Sequence, residues 1–254
     1  MDRRDYIGVF DSGVGGLSVL RHLRRLLPKE NYIYFGDTAN APYGAKTTAQ
    51  VRGLTLAAAE KMTREYPLKA LVVACNTATA AAITQLRQTY PQLIVIGIEP
   101  ALKLAVDRFP GGRIGVMATQ VTLREEKFDG LLHRFDTGCT VTKIPAPGLV
   151  ELIEQGKTQG EETEALLEKI LSPYRGKLDA LVLGCTHYPF AAAAIDRVLE
   201  GQVMLLDGGE GTARETGRRL AQADLLKEDG PGTLVLAASG DQTVFAQLAY
   251  RLLA

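Results

Sequence analysis

Short runs of apolar and β-branched residues alternate with longer stretches of helical period along the chain, the pattern of βα units on a parallel sheet. Strands are predicted over Tyr6 to Phe10, Tyr32 to Phe35, Ala70 to Ala74, Leu93 to Ile96, Arg113 to Met117, Val141 to Ile144, Ala180 to Leu183, Val203 to Leu206 and Thr233 to Ala237. Helices are predicted over Leu17 to Leu27, Thr48 to Glu65, Ala78 to Thr89, Glu161 to Leu171 and Gly211 to Ala223. Nine strands are more than one simple open sheet usually carries. No low-complexity segment, and no linker rich in Gly, Pro and Ser, divides the chain.

An internal repeat divides it instead, because self-similarity at a fixed period signals duplication. Ile7-Gly8-Val9-Phe10 has a counterpart 107 positions later in Ile114-Gly115-Val116-Met117. Ala70-Leu71-Val72-Val73-Ala74-Cys75 has one 110 positions later in Ala180-Leu181-Val182-Leu183-Gly184-Cys185, and Pro42-Tyr43-Gly44 corresponds loosely to Pro147-Gly148. Any two buried strands look alike, but three matches near one offset favour two similar halves. The expected fold class is α/β: two similar doubly wound α/β domains with mainly parallel sheets, pseudo-twofold related, with the active site in the cleft between them. Residues 1–97 with 208–254 form the first expected domain, and residues 98–207 the second.

Composition narrows the function classes. The 254 residues carry 29 Lys+Arg and 29 Asp+Glu, a formal net charge of zero, so no global field favours nucleic acid or an anionic membrane. A ligand must be held by local groups, and a small molecule is the expected partner, with no nucleic acid and no membrane. At 46% hydrophobic and 23% charged residues the chain is of ordinary globular composition. Its length suffices to bury a large core with no disulfide or metal. The cysteines, Cys75, Cys139 and Cys185, are too few and too far apart for a disulfide framework and fit a reducing compartment. The first apolar run, Tyr6 to Phe10, is too short for the core of a signal peptide, and no stretch approaches a bilayer span. A cytoplasmic protein is expected; a homodimer is an assembly that one chain leaves open.

Cys75 and Cys185 occupy matched places, each ending a buried strand and, on this reading, opening a helix in Cys75-Asn76-Thr77 and Cys185-Thr186-His187. Ligands of open α/β sheets bind at the carboxyl ends of strands. A helix N-terminus also favours a thiolate and can hold a carboxylate. A buried cysteine taken alone is usually a small hydrophobe; placement at two equivalent strand ends points to chemistry. One thiolate can remove a proton from a carbon acid while the other, as thiol, supplies one from the opposite face, which inverts the centre without a cofactor. Disulfide exchange lacks a Cys-x-x-Cys pair, and zinc lacks ligands near Cys185 and His187. Cys139, at a strand start, has no such context.

Asp11-Ser12-Gly13-Val14-Gly15-Gly16 follows the first strand, and its glycines let backbone approach a ligand. A dinucleotide reading would use Asp37 as the ribose-binding acid, but the pattern is Gly-x-Gly-Gly and not Gly-x-Gly-x-x-Gly.

Together, Phe10-Asp11-Ser12-Gly13-Val14-Gly15-Gly16-Leu17, Gly36-Asp37-Thr38-Ala39-Asn40-Ala41-Pro42-Tyr43-Gly44, Ala74-Cys75-Asn76-Thr77-Ala78 and Gly184-Cys185-Thr186-His187-Tyr188-Pro189 resemble the glutamate racemases of the cofactor-independent aspartate/glutamate racemase superfamily. In this order the motifs are highly specific, and they run from the first strand to about Gly209. Asp207-Gly208-Gly209 and a strand–helix ending also suit the family. The resemblance implies interconversion of L- and D-glutamate, supplying D-glutamate for peptidoglycan, with no cofactor. It implies that Cys75 acts on the D-enantiomer and Cys185 on the L-enantiomer. Asp11 would then lie beside Cys75 and His187 beside Cys185, with Glu154, or its neighbour Glu151, as the acid paired with His187. Ser12, Pro42, Tyr43, Gly44, Asn76, Thr77, Thr119 and Thr186 match positions that grip the carboxylates and amino group, with Asp11 and His187 also near the substrate. At Ala146 the chain departs from relatives that carry a third cysteine there.

Removing an α-proton requires a site that stabilises the carbanion, and Asn76, Thr77 and Thr186 are suitable donors at suitable places. Taken singly, Thr77 and Thr186 are also ordinary helix caps. His22 and His133 fall in amphipathic stretches, and Arg21, Arg24 and Arg25 read as a charged outer face. Rival activities are aspartate racemase or another isomerase or decarboxylase of the superfamily; a non-enzymatic alternative is a gyrase-binding regulatory protein. No lysine stands out as an anchor for pyridoxal phosphate.

Overall fold

The computed structural model describes residues 1–124 and 138–254; His133 lies outside them. The chain divides into two compact units, Met1–Glu99 with Gly209–Ala254, and Pro100–Gly208.

The first unit is built on β1 (Tyr6–Asp11), α1 (Leu17–Leu26), β2 (Tyr32–Gly36), α2 (Thr48–Glu65), β3 (Leu68–Val73), α3 (Asn76–Thr89) and β4 (Ile94–Gly97). The second holds α4 (Leu102–Arg108), β5 (Arg113–Ala118), α5 (Gln120–Arg124), β6 (Thr140–Pro145), α6 (Leu149–Glu154), α7 (Glu161–Leu171), β7 (Ala180–Leu183), α8 (Ala192–Val198) and β8 (Met204–Asp207). The chain then completes the first unit with α9 (Gly209–Gln222), β9 (Leu234–Ala238) and α10 (Gln242–Leu253).

Among the described residues the nine strands form two parallel sheets, of order β4-β3-β1-β2-β9 and β6-β5-β7-β8. Read from the other edge, the second sheet is β8-β7-β5-β6, which is the order β4-β3-β1-β2 of the first. The register repeats as well. Ile7, Gly8, Val9 and Phe10 lie opposite Ala70, Leu71, Val72 and Val73; Ile114, Gly115, Val116 and Met117 lie opposite Ala180, Leu181, Val182 and Leu183. The sequence repeat is therefore a repeat of topology, and β9 is what the first sheet adds.

Central strands are apolar throughout because both faces are covered: all six residues of β3 are buried, Lys69 among them. By contrast β9, at an edge, is half-buried along its length. Around β1 and β3 the core gathers Phe10, Phe35, Tyr43, Val73 and Cys75 into one cluster. Around β5 and β7 it gathers Met117, Ala146, Ile153, Leu183, Cys185 and Tyr188.

In the first sheet, connections leave β1 toward β2 and leave β3 toward β4, so the chain turns opposite ways at the carboxyl ends of two adjacent strands. That is the topological switch point at which open α/β sheets bind ligands. The same holds for β5 and β7 in the second sheet. Asp11, Ser12 and Cys75 sit at the first switch point; Thr119 and Cys185 sit at the second.

Candidate active site

At the first switch point, the Ala74 amide donates to the Phe10 carbonyl at 2.8 Å, carrying the sheet pattern one residue beyond β3. Cys75 then becomes the N-cap of α3, in extended conformation, with its sulfur accepting from the Ala78 amide at 3.4 Å. The predicted helix start at Ala78 is thus two residues late, because a cysteine stands where Ser or Asp is the usual cap. The thiol donates to Ser12 Oγ at 3.6 Å. Asp11 is fully buried, with Oδ1 accepting from the Gly13 amide at 2.9 Å. Gly16 makes this packing possible: a Cβ there would stand 2.7 Å from Asp11 Cβ and 3.0 Å from both Ala74 Cβ and Tyr34 Oη. Asn76 and Thr77, the first residues of α3, are both buried, and no hydrogen bond satisfies Asn76 Oδ1 among the described residues.

The stretch after β2 arches back toward the same cluster. Tyr43 is buried against Phe10, with ring centroids 6.3 Å apart, and its hydroxyl donates to Asp37 Oδ2 at 2.6 Å. Burial first, and then the hydrogen bond and charge of Asp37 with the nearby Cys75 and Asp11, push the phenol far above its ordinary titration range, so it remains a donor. Pro42 and Gly44, on either side, are half-buried. Sequence reasoning assigned no place in this site to Asp37, beyond the rejected ribose role, or to Ser239, whose hydroxyl donates to Asp37 Oδ1 at 2.6 Å. A signal was there: Ser239-Gly240 follows β9 as Ser12-Gly13 follows β1.

At the second switch point the Gly184 amide donates to the Met117 carbonyl at 2.7 Å, repeating the Ala74–Phe10 bond. The expectation that Cys185 opens an α-helix is corrected here. Thr186 and His187 form a turn, Tyr188–Ala191 is a 3-10 segment, and α8 begins only at Ala192. Pro189, at the start of that segment, has no amide to donate, and the turn is closed instead by Tyr188 N–H to the Cys185 carbonyl at 3.1 Å and Phe190 N–H to the His187 carbonyl at 3.0 Å.

This turn carries a largely buried histidine–carboxylate pair. His187 is buried, with Nδ1 3.7 Å from Cys185 Sγ and Nε2 2.6 Å from Glu154 Oε1. Glu154 ends α6 and is half-buried, whereas Glu151 points to solvent. Burial opposes the charged imidazole, but its hydrogen bonds to Cys185 and Glu154, with their negative charge, outweigh it and hold His187 well above its ordinary value. Thr119 follows β5 as Ser12 follows β1, and its hydroxyl lies 3.0 Å from that of Thr122 while accepting from the Thr122 amide at 3.3 Å. Thr186 is buried beside Cys185. The repeat aligns Asp11 with Ala118 and Thr77 with His187, so equivalent cysteines have different polar neighbours.

Cys139 is half-buried just before β6, with its thiol donating to the Phe109 carbonyl at 3.3 Å, at the amino end of the sheet and not at the carboxyl end where its own unit's switch point lies. Among the described residues no group of three or more His, Cys, Asp or Glu is placed to hold a metal, and no helix is long and apolar enough to cross a membrane.

The family model described as Asp/Glu/Hydantoin racemase matches residues 7–216. The chain belongs to that family. It is 45% identical over 256 residues to a glutamate racemase of Clostridium botulinum, covering 100% of this chain and 99% of the relative. Among solved structures it superposes on a glutamate racemase from Thermus thermophilus in complex with beta-chloro-D-alanine, with a TM-score of 0.85 and 40% identity, covering 99% of this chain and 94% of that one. It also superposes on the Escherichia coli glutamate racemase in complex with L-glutamate and the activator UDP-MurNAc-ala, at TM-score 0.85 and 33% identity over 97% of this chain and 94% of that one. The matched region of the family model contains both switch points and every side chain described above except Ser239.

Proposed function

We propose that this racemase-family protein interconverts L- and D-glutamate by a two-base reaction in which Cys75 and Cys185 are the acid/base pair. The observation that carries the reading is the recurrence of a buried cysteine two residues beyond β3 and β7, each with its own polar neighbour, in a chain this similar to glutamate racemases. Support for the substrate comes from the relatives, one of which is bound to L-glutamate and another to a D-amino acid.

The chemistry requires one group on each face of the α-carbon. For L-glutamate, Cys185 as thiolate takes the α-proton and its electron pair remains on carbon, delocalised into the α-carboxylate. Cys75 as thiol then delivers its proton to the other face, giving D-glutamate, a Cys75 thiolate and a Cys185 thiol; the reverse reaction exchanges these forms. The proposed carbanion is stabilised by donors on its carboxylate: the amides at the start of α3 and the hydroxyls of Ser12, Thr77, Thr119 and Thr186. Tyr43 and Gly44 grip a carboxylate, and the unsatisfied Asn76 Oδ1 accepts from the substrate ammonium. His187, held cationic between Cys185 and Glu154, stabilises the Cys185 thiolate through Nδ1–H. Asp11, buried close to Ser12 and Cys75, assists proton handling on the D side. We further propose that D-glutamate made here, in the cytoplasm, serves peptidoglycan synthesis.

The test is incubation with L-glutamate in deuterated water, under reducing conditions and without added cofactor. Optical rotation should decay to zero while deuterium enters the α-carbon, and Cys75→Ser or Cys185→Ser should each lower the rate by about a thousandfold or more, as expected for loss of a catalytic acid/base group. Unchanged rotation with no isotope uptake would sink the reading, and equal damage from Cys139→Ser would sink the assignment of the thiols.

A further inference from the structure

Asp37 follows β2, is buried, and takes no step in the reaction above. Its carboxylate is nevertheless well supplied with donors: Ser239 Oγ at 2.6 Å and Asn40 Nδ2 at 3.0 Å on Oδ1, Tyr43 Oη at 2.6 Å and Asn40 Nδ2 at 3.1 Å on Oδ2. Ser239 is itself fixed, since its hydroxyl accepts from the Ala39 amide at 3.0 Å and its amide donates to the Gly36 carbonyl at 3.1 Å. One residue on, the Gly240 amide donates to Thr38 Oγ1 at 3.1 Å, and a Cβ on Gly240 would stand 2.7 Å from that oxygen. The turn from Asp37 to Gly44 is thus bound to the two residues that follow β9, a strand with no counterpart in the second sheet among the described residues.

These bonds are not what holds β9 in place. The amino end of the strand is fastened separately, by Asn31 Oδ1 accepting from the Thr233 amide at 3.2 Å, from Thr233 Oγ1 at 3.0 Å and from Lys227 Nζ at 3.3 Å. Five residues of parallel pairing with β2 lie between. Ser239 instead acts locally, on a buried carboxylate that also holds the Tyr43 hydroxyl. Hydrogen bonds to a charged acceptor are short and geometrically demanding, so losing one donor lets the others rearrange.

We propose that Ser239 is a positioning residue for substrate binding: through Asp37 and the Ala39 amide it fixes the turn that carries Tyr43 and Gly44, and so sets their grip on a substrate carboxylate. This rests on the reading of glutamate as substrate. Ser239→Ala should raise KM for L-glutamate about tenfold, the scale of one lost hydrogen bond to a charged group, with kcat within about twofold of the parent. Ser239→Thr, which keeps the hydroxyl, should restore KM. Asn31→Ala, which loosens the other end of the same strand, should lower Tm and leave KM unchanged. A readout independent of substrate accompanies these: hydrogen exchange of amides 38–45 should quicken in Ser239→Ala and not in Asn31→Ala. An unchanged KM in Ser239→Ala, or an equal rise in Asn31→Ala, overturns the proposal. If the parent protein failed to racemise glutamate, the substrate reading would fall by itself, and the exchange measurement would decide whether Ser239 holds the turn.

Discussion

His187 lies between a thiol and a carboxylate, 3.7 Å from Cys185 Sγ and 2.6 Å from Glu154 Oε1, in a buried turn. Those two neighbours outweigh burial and raise its titration, favouring the imidazolium. The sign for stability follows: a histidine raised in the folded state contributes fully below its unfolded value near 6.5, and the contribution fades as pH climbs through the raised value. Glu154→Gln keeps the shape and removes the charge. The alkaline limb of kcat/KM for L-glutamate should therefore move acidward, with a rate loss of about tenfold to a hundredfold near neutrality. The Tm advantage of the parent over this variant should be largest at mildly acid pH, just below about 6.5, and shrink as pH rises; a pH profile unmoved by Glu154→Gln would contradict the coupling. Both thiols were legible in the sequence because strand ends advertise them. The choice between Glu154 and Glu151 was not, since residues three apart on one helix share a face, and only the packing of α6 turns one inward and leaves the other in solvent.

Among the elements, α2 shows how local sequence secures a boundary. Thr47 caps it by accepting from the Gln50 amide at 3.3 Å, while Gln50 Oε1 accepts from the Thr47 amide at 3.0 Å, a reciprocal capping box. Thr47→Ala should cost about 1 kcal/mol of stability, read as a lower Tm or denaturant midpoint, with kcat/KM unchanged because α2 carries no site residue. A loss of activity without loss of stability would contradict that separation. All nine strands and the long helices α1, α2, α3, α7 and α9 were legible, since each shows its period over enough residues. The helices α4, α5, α6 and α8, at five to seven residues, are too short to display a helical period. The delayed start of α8 was hidden for another reason: a Cys-Thr-His string resembles a cap, and the proline that reshapes the turn comes after it.

For the molecule as a whole, the buried ion pair of Lys69 with Glu30 joins distant parts of the first unit. Lys69 Nζ also donates to the carbonyls of Arg3 and Leu225, and Glu30 Oε1 accepts from the Lys227 amide at 2.9 Å. The opening segment, β3 and the chain beyond α9 therefore meet at one buried cation. A lysine is expected outside, which is why the sequence pattern starts β3 at Ala70 and misses this contact. Lys69→Met should cost about 3–5 kcal/mol by stranding Glu30, and Lys69→Met with Glu30→Gln should recover much of it; equal melting of the single and double variants would refute the pairing. Duplication has a different consequence at this scale. The halves share strand order and register, yet Asp11 corresponds to Ala118 and Thr77 to His187. Mirror-image substrates have the same free energy, so an equilibrium constant of unity binds kcat/KM in the two directions into one number for every variant. The unlike halves can only divide that number differently between turnover and saturation, and no substitution in either half can make the enzyme run one way.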